Sequence, residues 1–352
     1  MIRIREATQE DNEGLQRLQA QCPQGTSLVV STVNTPDFFA RVKAYADYRV
    51  YKAEENGRII ASAACALRTA MVNGHMVKVG HLFQTFVHPD FRGRRIAGLL
   101  LVTREEYLKQ RGAVLAYALI MEGNSPSMQH AERHHYRRHN TLVMPGIAVT
   151  KETDLNSFGN IRRISTEDLA AVTKLLNETW GNCELYEPLS PETLLQFIER
   201  TPAYDLQNLF VLEEGGEIVA CLGYWDWSRV TKIRVEKLNL KMRLAGIAAN
   251  LTSHFASLPH APQPGNLLKQ IVLTPIGFQN ARQLAVLLRY INNIALIQDI
   301  GYIYFICQRK HPMITALKGF FHIDTALHLY IKPLHENVAL GERPVFISGI
   351  DL

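Results

Sequence analysis

Apolar and polar residues first alternate and then change period. Ile2 and Ile4, set between Arg3 and Arg5, read as a short strand. Leu15 and Leu18 then lie on the inner stripe of a helix introduced by Thr8-Gln9-Glu10-Asp11. The same phrase returns later as Ile161-Arg162-Arg163-Ile164, Ser165-Thr166-Glu167-Asp168 and the stripe Val172, Leu175, Leu176. Two hairpins correspond as well. Glu54-Glu55-Asn56-Gly57-Arg58-Ile59-Ile60-Ala61 and Glu213-Glu214-Gly215-Gly216-Glu217-Ile218-Val219-Ala220 turn on Asn-Gly and Gly-Gly between β-rich flanks. Val87-His88-Pro89 aligns with Leu273-Thr274-Pro275, each ahead of an amphipathic helix. The first helix is expected to bury Ile96, Leu99, Leu100, Thr103 and Tyr107 and to close at Gly112; the second carries Leu284, Leu287, Leu288 and Ile291. Each copy continues with an apolar strand, Ala113 to Met121 and Tyr302 to Cys307, and a short helix ending at His135-Tyr136 or Gly319-Phe320.

Identity between the copies is weak, but their order repeats. The expected organisation is a first domain at 1–150, a polar linker at 151–160 and a second domain at 161–352. Each domain is α+β, a mixed and mainly antiparallel sheet flanked by helices. An insertion containing Pro259, Pro262, Pro264 and Gly265 in the second copy reads as a surface excursion.

Composition narrows the function classes. The 352 residues are 47% apolar and 20% charged, an ordinary globular balance. No secretory apolar core follows Met1-Ile2-Arg3-Ile4-Arg5, and no apolar run is long enough for a bilayer, so no membrane association is expected. The 5 cysteines are scattered without metal or redox spacing, which predicts reduced, buried thiols and a cytoplasmic setting. A net charge of +5 suits an anionic cofactor or acidic partner; it does not by itself argue for nucleic acid, and none is expected. His130, His134, His135 and His139 include i, i+4 pairs. They lack further ligands and alternate with Arg133, Arg137 and Arg138, so a solvated basic face is expected and no metal.

The chemistry concentrates at Val87-His88-Pro89-Asp90-Phe91-Arg92-Gly93-Arg94-Arg95-Ile96-Ala97. A strand runs through a basic, glycine-bearing turn into a helix with no Ser, Thr, Asp or Asn in the four preceding residues. Free N–H groups, the positive end of the helix dipole and flanking arginines together suit an anion, read here as a pyrophosphate. The equivalent stretch of the second copy, Gln279-Asn280-Ala281-Arg282-Gln283-Leu284, has no glycine and one cation, and is expected not to bind one. Tyr224-Trp225-Asp226-Trp227 is expected to pack in a core or between the copies.

The order of elements, the run Arg92-Gly93-Arg94-Arg95-Ile96-Ala97 and the later Asn124-Ser125-Pro126-Ser127 with Glu132-Arg133-His134-His135-Tyr136 resemble the GNAT N-acetyltransferase superfamily in a tandem-domain form. The resemblance implies acetyl-CoA as co-substrate and direct acetyl transfer to a primary amine of a small molecule or peptide. It implies cofactor contacts from Phe86 and Val87, from Arg92, Gly93, Arg94, Arg95, Ile96 and Ala97, and from Asn124 and Ser127. A main-chain N–H near Phe86-Val87 would face the thioester oxygen. Candidate bases are Glu122 and then His81; Gln84 could only relay through water, and Tyr117 is an alternative acid. Ser127 is also expected to cap its helix. Three positions depart from the family pattern. Arg95 stands at its middle glycine, which matters only if that position needs positive φ. His135 replaces a glycine, and Ala131 stands where many members carry a proton-donating tyrosine. The competing reading is a non-catalytic acyl-CoA sensor or adaptor.

Overall fold

Capping residues repeat at the start of each copy. In the computed structural model, which describes residues 2–155, 159–240, 262–335 and 338–352, Thr8 and Asp11 form a reciprocal capping box, as do Ser165 and Asp168. Each box feeds a helix, α1 (Asn12–Ala20) or α4 (Leu169–Trp180). The ion pairs around the boxes also repeat. Arg5 bonds Glu54 at 2.9 Å and lies 3.7 Å from Asp11, while Arg162 bonds Asp168 at 2.6 Å and also pairs with Glu213. The repeat is therefore structural, side chain for side chain.

The first copy runs β1 (Arg3–Glu6), α1, β2 (Leu28–Asn34), β3 (Asp47–Glu55), β4 (Arg58–Val72), β5 (His75–Val87), α2 (Ile96–Gln110), β6 (Leu115–Met121), α3 (Ser125–Arg133) and β7 (Arg137–Ala148). The second runs β8 (Asn160–Arg163), α4, α5 (Pro191–Arg200), β9 (Leu209–Glu214), β10 (Glu217–Asp226), β11 (Thr231–Leu238), β12 (Leu267–Leu268), β13 (Gln270–Phe278), α6 (Ala281–Ile297), β14 (Tyr302–Tyr304), β15 (Cys307–Gln308), α7 (Pro312–Thr315) and β16 (His322–Pro333). Both hairpin turns have positive φ at their two central residues, Asn56 and Gly57 in one and Gly215 and Gly216 in the other. That geometry matches the twist of the flanking strands.

The copies join in one 13-stranded sheet, twelve strands ordered β1-β3-β4-β5-β6-β16-β7-β14-β13-β10-β9-β8, with β15 paired to β7 off this path. β16, from the second copy, lies between β6 and β7 of the first, and β7 in turn pairs with β14 of the second. A smaller sheet, β12-β11-β2, crosses between the copies too. The insertion is thus more than a surface excursion, because β11 pairs with β2 along its length. Pro259 lies outside the described residues. Trp225 and Trp227 are buried in a core shared with Leu15, Phe38, Val42 and Phe86, which is the packing expected of them.

Register shifts correct one alignment. On β5, Gln84 and Thr85 bulge opposite Ala63 of β4; on β13, Thr274 and Pro275 bulge opposite Gly223 of β10. Thr274-Pro275 therefore corresponds to Gln84-Thr85, not to His88-Pro89. Gly223 has to be glycine, since a Cβ there would sit 2.0 Å from Tyr204 Oη and 2.3 Å from Thr274 O. A second correction concerns α2, which buries Ile96, Leu100, Leu101, Arg104 and Leu108 while Leu99 is 49% exposed. Apolar residues at Ile96, Leu99, Leu100, Leu101 and Val102 surround the first turns of this helix, so periodicity alone could not select the inward face.

Candidate functional site

β5 and β6 run parallel and pair only from Val79↔Leu115 to His81↔Tyr117. Beyond His81 the β6-facing edge of β5 has no strand partner, which leaves main-chain groups of Leu82–Val87 available. The bulge lies in this stretch: Gln84 has φ +48°, is 8% exposed, and neither its Oε1 nor its Nε2 has a partner. Expected contacts from the main chain of Phe86 and Val87 fall on the same open edge.

A buried polar cluster closes the narrow end of the opening. The His81 ring stacks between Phe83 and Tyr117, with centroids 4.8 and 4.7 Å away. Tyr45 Oη lies 3.0 Å from His81 Nδ1, 2.9 Å from Asp351 Oδ1 and 2.9 Å from the Ile350 carbonyl. The carboxylate and the carbonyl only accept, so the single Tyr45 proton goes to them and Tyr45 oxygen accepts from His81 Nδ1–H. This tautomer leaves the Nε2 lone pair free. Asp351 Oδ2 accepts from Arg68 Nη1 at 3.0 Å and from Tyr117 Oη at 3.3 Å.

Electrostatics follow from this burial. Loss of solvent pushes the His81 pKa down to about 4; Asp351 opposes the shift, while Arg41, Arg68 and Arg104 add to it. Burial also raises the Tyr117 phenol well above its ordinary range, with Asp351 adding to the effect, which disqualifies it as a ready acid. Burial works against the Arg68 charge, but Tyr117 and Asp351 outweigh it and hold its pKa above the usual value.

At the open end, residues 88–95 carry the chain from β5 to α2. Arg95 is the N-cap residue, at φ +61° and ψ 13°, with no side-chain cap. The position does adopt positive φ, the condition under which replacing glycine matters, and Arg95 takes a conformation that glycine would take without strain. Gly93 has φ +78°. No hydrogen bond among the described residues occupies the N–H groups of Gly93, Arg94, Arg95, Ile96 or Ala97. The three arginines differ. Arg94 is committed to Glu55 through bonds of 2.7 and 2.9 Å, Arg92 Nε donates to the Val87 carbonyl at 3.3 Å, and Arg95 is exposed. Five free donors at the positive end of a helix, beside Arg92 and Arg95, fit a pyrophosphate.

The remaining candidates lie apart. Glu122 is exposed past the end of β6, its N–H bonded to the Ala326 carbonyl. It follows Tyr117 by five residues, about 16 Å of extended chain, and does not meet His81. Asn124, not Ser127, caps α3: its Oδ1 accepts from the Ser127 N–H at 3.3 Å. The Asn-Ser-Pro-Ser order explains this, since Pro126 is placed in the first turn by a cap at Asn124. His130 and His134 lie 4.6 Å apart between centroids, and the described residues contain no group of three or more His, Cys, Asp or Glu that could hold a metal. All five cysteines are buried and free. No helix among the described residues is long and apolar enough to cross a membrane.

In the second copy the corresponding connection is two residues, Gln279 and Asn280. Asn280 Oδ1 accepts from the N–H groups of Arg282 and Gln283, and Gln283 Oε1 accepts from the Asn280 N–H. These donors are occupied.

Tyr45, Arg68 and Asp351 had no signal in the sequence. They form one cluster because the fold brings Asp351 to Tyr45 and Arg68 across separations of 306 and 283 residues.

Residues 12–136 match the model of the acetyltransferase (GNAT) family. No curated protein matches the chain by sequence. Among solved structures, a GCN5-related N-acetyltransferase from Sphaerobacter thermophilus is similar with a TM-score of 0.58 at 13% identity, over 96% of this chain and 98% of that one. N-myristoyltransferase from Saccharomyces cerevisiae, with bound myristoyl-CoA, is similar with a TM-score of 0.65 at 11% identity, over 98% of this chain and 89% of that one. These likenesses show the fold, two GNAT-like units in tandem.

Proposed function

We propose that this chain, whose residues 12–136 match the model of the acetyltransferase (GNAT) family, transfers an acetyl group from acetyl-CoA to a primary amine of a small molecule or peptide. The first copy, residues 1–150, carries the chemistry, and residues 161–352 complete the acceptor side. The observation that carries this reading is the run of five unoccupied N–H donors from Gly93 to Ala97 at an uncapped helix start. Arg92 and Arg95 add charge there, and the open edge of β5 leads from that point to His81. Acetyl-CoA supplies the activated acyl thioester.

Protein groups then have two tasks, to orient the thioester and to take the proton. Main-chain groups of Leu82–Val87 orient the thioester along the open edge. The acceptor must arrive as a neutral amine, which at pH 7 costs about 1.4 kcal/mol for an α-amine and about 4.6 kcal/mol for a lysine. His81, held neutral with Nε2 free, takes a proton once the attacking nitrogen has become acidic, and Tyr45 and Asp351 fix its tautomer. Glu122 keeps the role of a base at the rim, reached through water. Ala131 has no proton to give, so the thiolate leaves unassisted at a cost of about 2 kcal/mol at pH 7.

That same alanine favours the alternative of an acyl-CoA sensor. A thiol-release assay on the full chain separates the two, using acetyl-CoA and myristoyl-CoA against amines, amino acids and N-terminal peptides. Turnover with acetyl-CoA that drops on Arg92→Ala supports the transferase. Calorimetric binding of acetyl-CoA without turnover on any amine supports the sensor.

A further inference from the structure

Arg41 sits at the seam of the two copies, next to the His81 cluster. Its guanidinium lies 5.0 Å from the Phe83 centroid, in the first copy, and 5.5 Å from the Trp227 centroid, in the second. Phe83 stacks on His81 at 4.8 Å and packs against Tyr45 at 5.1 Å, so Arg41 is one ring away from the proposed reaction centre. Arg41 Nε is out of solvent without a partner, and among the described residues the side chain forms no hydrogen bond or ion pair.

The neighbouring charges are otherwise matched. Arg68 is paired with Asp351 at 3.0 Å, and Arg200 donates to the Ala44 carbonyl at 2.9 Å with the Glu187 carboxylate close enough to act on it. Among the described residues of this cluster, Arg41 is the cation without a hydrogen-bonded or ion-paired partner, although Asp351 is close enough to act on its charge. Two aromatic faces hold its plane, a preorganised fork for a carboxylate.

We infer that the acceptor carries a carboxylate beside its amine and that Arg41 receives it. This inference rests on the transferase reading and narrows the acceptor to amino acids and related amino-carboxylates. The aromatic clamp fixes the guanidinium in advance, so an incoming carboxylate meets its donors without reordering the side chain. One side of the clamp on Arg41 is Trp227, which gives the second copy a part in acceptor choice although its own helix start is capped.

The test compares β-alanine, L-leucine, L-phenylalanine and L-glutamate with their carboxamides in the thiol-release assay on the full chain. The acids should be used with a kcat/KM at least about tenfold above the amides. Arg41→Gln should collapse that ratio toward one through acceptor KM, with the acetyl-CoA KM unchanged, and Arg41→Lys should restore part of it. Equal use of acids and amides by the unmodified protein overturns the inference, as does an unchanged ratio in Arg41→Gln. Should Arg41→Gln fail to fold, the acid-to-amide ratio of the unmodified protein still decides. A second measurement follows tryptophan fluorescence on adding the N-acetyl acids and N-acetyl amides. Arg41-dependent preference for the acids without turnover of any amine keeps the inference and removes the transferase reading; no such preference removes the inference as well.

Discussion

The starts of α2 and α6 are the same place in two copies of one plan, and they handle their first N–H groups in opposite ways. In α6 a two-residue connection brings Asn280 directly to the helix, and its side chain takes the N–H groups of Arg282 and Gln283. In α2 an eight-residue connection ends on Arg95 in the left-handed region, and nothing takes the donors from Gly93 to Ala97. A capped start is a stable helix and a closed site. An uncapped start gives up about 1 kcal/mol of capping energy and keeps its donors for a ligand. The bulges preceding both helices, at Gln84-Thr85 and Thr274-Pro275, show that the strand geometry was retained in both copies. The difference therefore lies in the connection and not in the sheet.

Three substitutions break or sharpen this contrast. Gly93→Asp should have the largest effect. It places a side chain at φ +78° and a negative charge against the anion, and the KM for acetyl-CoA should rise about 100-fold, close to 2.7 kcal/mol. Steady-state kinetics with matched calorimetry would check it, and a change under threefold would mean that this turn holds no phosphate. Asn280→Ala comes next. Loss of the cap should destabilise the protein by about 1 kcal/mol in urea unfolding while calorimetry still counts one acetyl-CoA per chain. A stoichiometry of two would show that the cap alone closes the second copy. Arg95→Gly should be mildest and opposite in sign on stability, about 0.5–1 kcal/mol more stable because positive φ no longer strains the backbone. Acetyl-CoA affinity should fall only a few-fold, reporting the side-chain charge separately from the turn.

Much of this molecule was readable from local patterns. Capping boxes, glycine turns and the uncapped start of α2 are decided within four or five residues, and Thr8-Asp11, Asn56-Gly57 and Arg92–Ala97 carry their own physics in their spelling. Two local readings failed for identifiable reasons. Asn124 outcompeted Ser127 as a cap because Pro126 is accommodated in the first turn, and Leu99 turned outward because apolar residues ring α2. The positive φ at Arg95 was hidden because arginine does not advertise that conformation. Long-range features left no trace at all. Nothing near His81 announces Asp351, nothing near Arg41 announces Trp227, and β16 reads as an ordinary strand wherever it inserts.

That insertion has a consequence for how the chain acquires its shape. β6 leaves the ribosome roughly 200 residues before the strand it must pair with, as Leu119↔Leu329 shows. Until β16 arrives, β6 and β7 keep facing edges unpaired, and such edges invite pairing with other chains. Contacts this distant in sequence close large loops and slow the search for the native state. The uncapped turn before α2, complete within a few residues of local sequence, thus stands in a sheet that closes only after β16 has been made.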